Sequence, residues 1–191
     1  MTHPIDHVAL LVPRIEPVLE KLGDWAAEAG EIEEFPSEGT RELYVGGEGR
    51  NARLLLMEAR GEKGPYARAL AKRGPGLHHV ALLVPDLDAF LAGIRGWLVH
   101  PACLPGLASS RTLWLARPGI STLVEVHEAE PGSGMQPLVE QVEVPAHGEI
   151  AEFLHLRVGE ERVAGLLPSS DGACWLRLGG RRFAGAELLD T

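Results

Sequence analysis

Positive charge is in short supply: 18 Lys and Arg against 27 Asp and Glu leave a formal net charge of −9. A chain so charged lacks the basic face that nucleic acid or an anionic membrane surface requires, although a local basic cluster could still receive a small anion. Cysteine is almost absent. The two present, Cys103 and Cys174, have no CxxC or metal-ligand spacing. They read as buried thiols of a cytoplasmic protein, with a single disulfide between them as the other reading. No apolar run reaches membrane-spanning length. The first is closed by Pro13 and follows no basic segment, so neither a signal peptide nor a membrane span is predicted. What remains is 45% hydrophobic and 24% charged over 191 residues, the composition of a globular protein able to bury a sizeable core.

The organising feature is an internal repeat. His7-Val8-Ala9-Leu10-Leu11-Val12-Pro13 returns as His79-Val80-Ala81-Leu82-Leu83-Val84-Pro85, 72 residues later. The match continues in character on both sides, with Ile5-Asp6 against Leu77-His78 before it and Ile15-Glu16 with Leu19 against Leu87-Asp88 with Leu91 after it. In an extended segment, alternation turns His7, Ala9 and Leu11 to one face and Val8, Leu10 and Val12 to the other. A pseudo-twofold axis between the copies would lay the two strands side by side and bring His7 and His79 to one place. One histidine in an apolar strand is ordinarily a hydrogen-bonded core residue; a symmetric pair is also a metal-ligand pattern.

Each copy opens a unit of the same order. Residues 5 to 12 predict a strand. Ile15, Val18, Leu19 and Leu22 recur at helical spacing, with Pro17 in the first turn and a stop near Gly23 or Gly30. Strands follow at 31–35, 42–45 and 52–58, then a short helix from Pro65 to Lys72 and a Gly74-Pro75-Gly76 turn. The second unit runs from a strand at 77–84 through a helix at about 86–94 to strands near 97–100, 112–116 and 122–127. Pro131-Gly132-Ser133-Gly134 reads as a linker. Beyond it, short alternating runs at 138–144, 153–158, 163–167, 174–178 and 182–188, with Gly159-Glu160-Glu161 and Gly179-Gly180 as hairpin signals, predict an antiparallel β-meander. The expected class is therefore α+β. Residues 1–130 form a domain of two βαβββ modules, about 5–60 and 77–128, and residues 131–191 a β-rich extension.

Among polar residues, Glu125 interrupts the apolar strand Leu123-Val124-Glu125-Val126. It is either solvent-facing on the open side of a half-buried strand or held by a partner, because an unpaired buried charge is costly. His127 shares its facing and is a candidate for a supporting or proton-transfer group. Glu42 is either an exposed strand residue beside Arg41 or a carboxylate in a cavity. Arg60, Lys63, Arg68, Lys72 and Arg73 gather around the 65–72 helix as either a solvated face or a phosphate-receiving cluster.

The Asp-His-Val-Ala phrase at residues 6–9, with Gly76-Leu77-His78-His79-Val80-Ala81-Leu82 at mid-chain, resembles the vicinal oxygen chelate superfamily of glyoxalases, bleomycin-resistance proteins and extradiol dioxygenases. Within it the pattern is most similar to methylmalonyl-CoA epimerases. The resemblance covers roughly residues 5 to 128 and implies paired βαβββ modules whose curved mixed sheet encloses a divalent metal: Co, Mn, Ni, Zn or Fe(II). The Leu-Val-Glu-Val segment matches the final-strand motif whose glutamate binds metal, so the resemblance implies His7, His79 and Glu125 as ligands. Four-ligand members place a Glu or Gln at the position of Leu55, and here the chain departs from the pattern. Glu58 faces the other way and cannot substitute without a bulge. Two His and one carboxylate are the set of the non-haem iron(II) facial triad. Gly39-Thr40-Arg41-Glu42 matches the Gly-x-x-Glu of the epimerases, which implies Glu42 as the proton-abstracting base.

Three functions follow as expectations. The first is a metal-dependent isomerase or lyase moving a proton alpha to a carbonyl, epimerase-like and acting on a small molecule such as a CoA thioester. The second is an iron(II) extradiol-type dioxygenase. The third is a non-catalytic small-molecule-binding or resistance protein, in which the extension would serve as a lid or dimerisation surface. A cytoplasmic homodimer is expected in each case.

Overall fold

The computed structural model describes residues 3–47, 49–130, 136–146, 165–169 and 171–189. Module one comprises β1 (Ile5–Val12), α1 (Ile15–Leu22), β2 (Glu33–Phe35), β3 (Thr40–Val45) and β4 (Arg53–Ala59). Helix α2 (Pro65–Arg73) leads to module two: β5 (Gly76–Val84), α3 (Leu87–Gly93), β6 (Leu98–Val99), a one-turn α4 (Leu107–Ser110), β7 (Thr112–Ala116) and β8 (Leu123–Glu128). All eight strands form one sheet in the order β2-β3-β4-β1-β5-β8-β7-β6. The repeated segments are the two antiparallel strands at its centre, and each pairs in parallel with the last strand of its own module, β1 with β4 and β5 with β8. The expected paired-module, α+β architecture is what the chain adopts.

The sheet has two unlike faces. Val8, Leu10, Val12, Leu54, Leu56, Val80, Leu82, Val84, Val124 and Val126 are fully buried on one side, beneath Ile15, Val18 and Leu22 of α1 and Leu87 and Phe90 of α3. Each such side chain contributes ~1.5–3 kcal/mol by leaving water. The other face carries a smaller cluster of Ala9, Leu11, Leu55 and Met57, against which Tyr66, Ala69 and Leu70 of α2 pack. Alternation along the repeat divides these faces, so the histidines stand on the sparsely filled one.

The pseudo-symmetry extends to the helix starts. Neither Arg14 nor a neighbouring side chain caps α1; the Ile15 amide donates instead to Glu58 Oε2 at 3.1 Å. Arg41 bridges Glu58 at 3.4 Å and Glu16 at 2.8 Å. In module two the Leu87 amide donates to Glu128 Oε2 at 2.8 Å, and Arg111 bridges Glu128 at 2.8 Å and Asp88 at 3.1 Å. Each helix therefore starts on a carboxylate from the end of its module's last strand, where positive dipole and free amides favour an anion. Glu58 faces the helices, as parity predicts, and cannot reach the histidines. Gly23, at φ 61, ends α1 in a conformation that β-carbon-bearing residues resist.

The extension supplies β9 (Val139–Pro145), β10 (Leu166–Ser169), β11 (Trp175–Leu178), β12 (Arg181–Ala184) and α5 (Gly185–Leu189). Its sheet has the order β10-β9-β11-β12. The meander expectation holds for the antiparallel pairs β9–β11 and β11–β12, but β10 runs parallel to β9. The length of chain between Pro145 and Leu166 permits the crossover that parallel pairing needs. The run at 182–188 divides into a strand and a helix, because Leu188 and Leu189 bury together at the end of a turn that also packs on α1. The linker at 131–134 and the run at 153–158 lie outside the described residues. This second sheet adds Val139, Val142, Val144, Leu166, Leu176 and Leu178 to the core on the helix side of the large sheet. Hydrogen bonds from the Val139 amide to Ala52 O (2.8 Å) and from Lys21 Nζ to Glu187 O (3.2 Å) tie it to module one.

Candidate metal centre

A cavity of ≈ 260 Å³ opens on the sparsely filled face, and every large strand except the two edges contributes to it. Its lining includes Tyr44 of β3 and Trp114 of β7, which six adjacent strands at about 4.8 Å spacing would hold about 24 Å apart in a flat sheet. The sheet is curved to bring them to one cavity. At its floor stand His7 and His79, 4% and 2% exposed, with their Nε2 atoms 3.0 Å apart. Glu125 Oε2 lies 3.7 Å from His7 Nε2 and 3.4 Å from His79 Nε2. For donors about 2.1 Å from one ion, neighbouring positions are about 3.0 Å apart in an octahedron and about 3.4 Å in a tetrahedron. The three atoms have the spacing of a ligand set.

The donor chemistry fits as well. Asp6 Oδ2 lies 2.7 Å from His7 Nδ1. Burial pushes the Asp6 carboxyl up, but the hydrogen bond and charge of His7, with Arg53, outweigh it and leave it below its ordinary value. An ionised Asp6 must accept, which places a proton on His7 Nδ1; in the neutral form of His7 that leaves the lone pair on Nε2. His79 is held neutral by burial, reinforced by the neighbouring histidines. With a proton on its Nδ1, it too directs a lone pair to the same point as Glu125. Two imidazole lone pairs and a carboxylate oxygen suit a divalent cation of the Zn, Co, Mn or Fe(II) type.

Leu55, 3% exposed, lines the same cavity from β4 and offers no donor atom. Glu42 and Tyr44 face inward from β3, while Leu43 and Val45 join the helix-side core. Burial raises the Glu42 carboxyl above its ordinary value, and the hydrogen bond it accepts from Thr40 Oγ1 at 2.8 Å offsets only part of that. His127 lies 3.3 Å from Glu125 Oε2 through Nε2 and 3.1 Å from Thr112 Oγ1 through Nδ1. The bond to Glu125 raises its pKa against the effect of burial.

Of the further lining residues, Tyr44 shares the facing of Glu42 by alternation, while Tyr66 and Trp114 had no sequence signal of their own. Both tyrosines of the chain are here. Burial pushes the Tyr44 phenol up to about 12 and also raises that of Tyr66, which donates to Glu38 Oε2 at 3.2 Å. Trp114 packs edge-on against His79 at 4.8 Å between ring centres. Arg53 stacks over Tyr44 at 4.2 Å. None of the described residues of the extension lines this cavity, so among them no lid is found. The described cysteines are free, and no described helix is long and apolar enough to cross a membrane.

No curated protein matches the sequence. Among solved structures, a hypothetical protein from Bacillus halodurans C-125 superposes with a TM-score of 0.51 at 21% identity, over 71% of this chain and all of that one. Methylmalonyl-CoA epimerase from Mycobacterium tuberculosis gives 0.43 at 22% identity over 70% of this chain and 87% of its own. A Streptomyces coelicolor methylmalonyl-CoA epimerase variant in complex with 2-nitronate-propionyl-CoA gives 0.45 at 22% identity over 68% of this chain and all of that one. At 21% identity the likeness to the Bacillus halodurans protein is one of fold. Residues 6–96 match the family model of the Glyoxalase/Bleomycin resistance protein/Dioxygenase superfamily. Module one and the opening of module two, which together carry both central strands of the sheet, thus resemble that superfamily in sequence.

Proposed function

We propose that the protein is a metal-dependent enzyme that moves a proton at a carbon alpha to a carbonyl, with His7, His79 and Glu125 as metal ligands and Glu42 as the base. The observation that carries this reading is the placement of Glu42, with its raised carboxyl, in the same cavity as the three convergent donors. A divalent ion held by those three residues would supply Lewis acidity to a carbonyl oxygen. Glu42 then needs only to accept a carbon-bound proton, and a carboxylate made more basic by burial does so more readily. The Thr40 hydroxyl donates to one Glu42 oxygen and leaves the other for substrate. Tyr44, Tyr66, Leu55, Met57 and Trp114 supply the apolar part of the wall beside the reacting carbon.

The cavity admits a small acyl or dicarbonyl group, and any larger handle must lie outside it. The exposed basic residues of α2 are the candidate receiver for the phosphates of a CoA thioester. A cytoplasmic homodimer belongs to the same proposal. The test is solvent deuterium exchange into 2-methyl-branched CoA thioesters and 1,3-dicarbonyl compounds, by wild type and Glu42→Gln loaded with Co(II), Mn(II), Ni(II) or Zn(II). Exchange by wild type that falls in the variant supports the reading; exchange undiminished in Glu42→Gln removes Glu42 from the mechanism.

A second reading, an iron(II) extradiol-type dioxygenase, is favoured by one observation. Two His and a carboxylate share their cavity with a further histidine, His127, and with Tyr44 and Tyr66, groups that could take and give phenolic protons. Oxygen uptake on catechols by the Fe(II)-loaded protein, with no exchange into any carbonyl compound, would select this reading.

A further inference from the structure

The residues preceding the two floor histidines should, by strict alternation, point to the opposite face. Both are on the cavity side of their strands, because the β1–β5 pairing is irregular at two places. Ile5 faces Leu82 and His7 faces Ala81, which leaves Asp6 as the extra residue on β1. Ala9 faces His79 and Leu10 faces Leu77, which leaves His78 as the extra residue on β5. A bulge of this kind turns two successive side chains toward one side. The two bulges occupy equivalent positions of the repeat, and each hands a side chain to the histidine that follows it. Asp6 Oδ2 lies 2.7 Å from His7 Nδ1, and His78 Nδ1 lies 2.9 Å from His79 Nδ1.

With the 3.0 Å contact between the two Nε2 atoms, these form one unbroken chain, Asp6–His7–His79–His78. At the Asp6 end the direction is fixed, since a carboxylate only accepts. At the other end it is not. His78 is 8% exposed and packed between Tyr66 and Trp114, with ring centres at 5.2 and 6.3 Å. A neutral imidazole can donate or accept through Nδ1. If His78 donates, His79 carries its proton on Nε2 and gives it to His7, so the chain is complete without a metal. If His78 accepts, His79 carries its proton on Nδ1 and both Nε2 atoms are bare.

We infer that Asp6 and His78 are positioning residues, and that His78 is a tautomer switch: its change from donor to acceptor turns the His7–His79 hydrogen bond into a two-nitrogen metal site. The step balances without loss of a proton. On metal entry the His78 Nδ1 proton passes along the 2.9 Å hydrogen bond to His79 Nδ1, the His79 Nε2 proton is released to solvent, and His78 Nε2 takes one from solvent. The asymmetry within the repeat has a consequence. Asp6 fixes the orientation of the His7 ring in both states, whereas His79 becomes a ligand only when its partner turns. This inference rests on the metal reading above.

The test uses the full chain with isotopically labelled histidine, and nitrogen–proton correlation spectra that report which ring nitrogen of each histidine is protonated. Spectra are taken without metal and with the diamagnetic probe Zn(II). We expect His7 to be protonated on Nδ1 in both states and His79 and His78 to exchange tautomers between them. His78→Asp, an acceptor only, should fix His79 with its proton on Nδ1 and bind Zn(II) more tightly than His78→Leu. Asp6→Asn should weaken Zn(II) binding by ~10–100-fold, with partial recovery in Asp6→Glu. Melting temperatures of the metal-free variants separate loss of fold from loss of positioning. Zn(II) bound at His7 and His79 with an unmoved His78 tautomer, or equal affinities in His78→Asp and His78→Leu, would overturn the switch alone. Failure of wild type to bind Zn(II) at His7 and His79 would overturn it together with the metal reading.

Discussion

Leu55, the cavity residue beside the three convergent donors that offers no ligand atom, gives the most informative perturbation. Leu55 is 3% exposed, sits opposite Ala9 on β1 and Tyr44 on β3, and touches the apolar cluster of Leu11 and Met57. In the metal-free protein, Leu55→Glu loses ~1.5–3 kcal/mol of side-chain burial and adds a carboxylate without a cation. Leaving such a charge unpaired costs about 3–5 kcal/mol, unless the group takes up a proton. If the ion lies between His7, His79 and Glu125, the new carboxylate becomes its fourth ligand. Affinity for Zn(II) or Mn(II) should then rise by ~10–100-fold, which is ~1.4–2.7 kcal/mol of extra stability under saturating metal. Urea denaturation in chelator and in metal buffer reads both effects at once. Met57→Glu is the control: it lies on the same strand and face, opposite Leu11 and farther along from the histidines, and it should lose stability without metal rescue. Equal loss in Leu55→Glu with and without metal, or rescue of Met57→Glu instead, would refute the placement of the ion.

Glu42→Gln should lower proton-exchange activity by about 10²–10⁴-fold. Because burial raises the Glu42 carboxyl from 4.5, the acid limb of the wild-type rate profile should lie above 4.5. The same shift makes the folded state hold this proton more tightly than the unfolded chain. Its contribution to stability is therefore lost as pH rises through the raised value, and Glu42→Gln should gain stability relative to wild type above it; an unaltered stability profile would contradict the shift. Glu58→Ala leaves the buried Ile15 amide without its acceptor and should cost about 1–3 kcal/mol in urea denaturation, with metal affinity unchanged; altered affinity would contradict its place on the helix side. Glu128 is drawn down to about 2 by the Arg111 guanidinium and the Leu87 amide. The stability it adds at neutral pH should be lost as pH falls from 4.5 to about 2, and Glu128→Gln should flatten the acid-denaturation curve in that window.

Repetition and parity made much of this protein legible before any coordinates. The two copies of His-Val-Ala-Leu-Leu-Val-Pro dictate twin strands with twin helices after them. Period-two alternation divides histidines from valines and groups Glu42 with Tyr44 and Glu125 with His127 on one face of each strand; the pairing of the strands brings those faces, and Leu55, to the histidine side. The same alternation turns Glu58 away, where it caps α1. Composition limited the extension to short strands, but it could not say that β10 joins β9 in parallel. Pairing direction depends on where a long connection returns, and the letters of a strand do not record that. Tyr66 and Trp114 enter the cavity only because α2 and a curved sheet carry them there, over separations no local pattern encodes. Asp6 and His78 mark the sharpest boundary. Alternation assigns both to the wrong face, and their hydrogen bonds to His7 and His79 exist because two β-bulges shift the register between β1 and β5. A bulge is set by how two distant strands settle against each other, so it was decided by the tertiary structure.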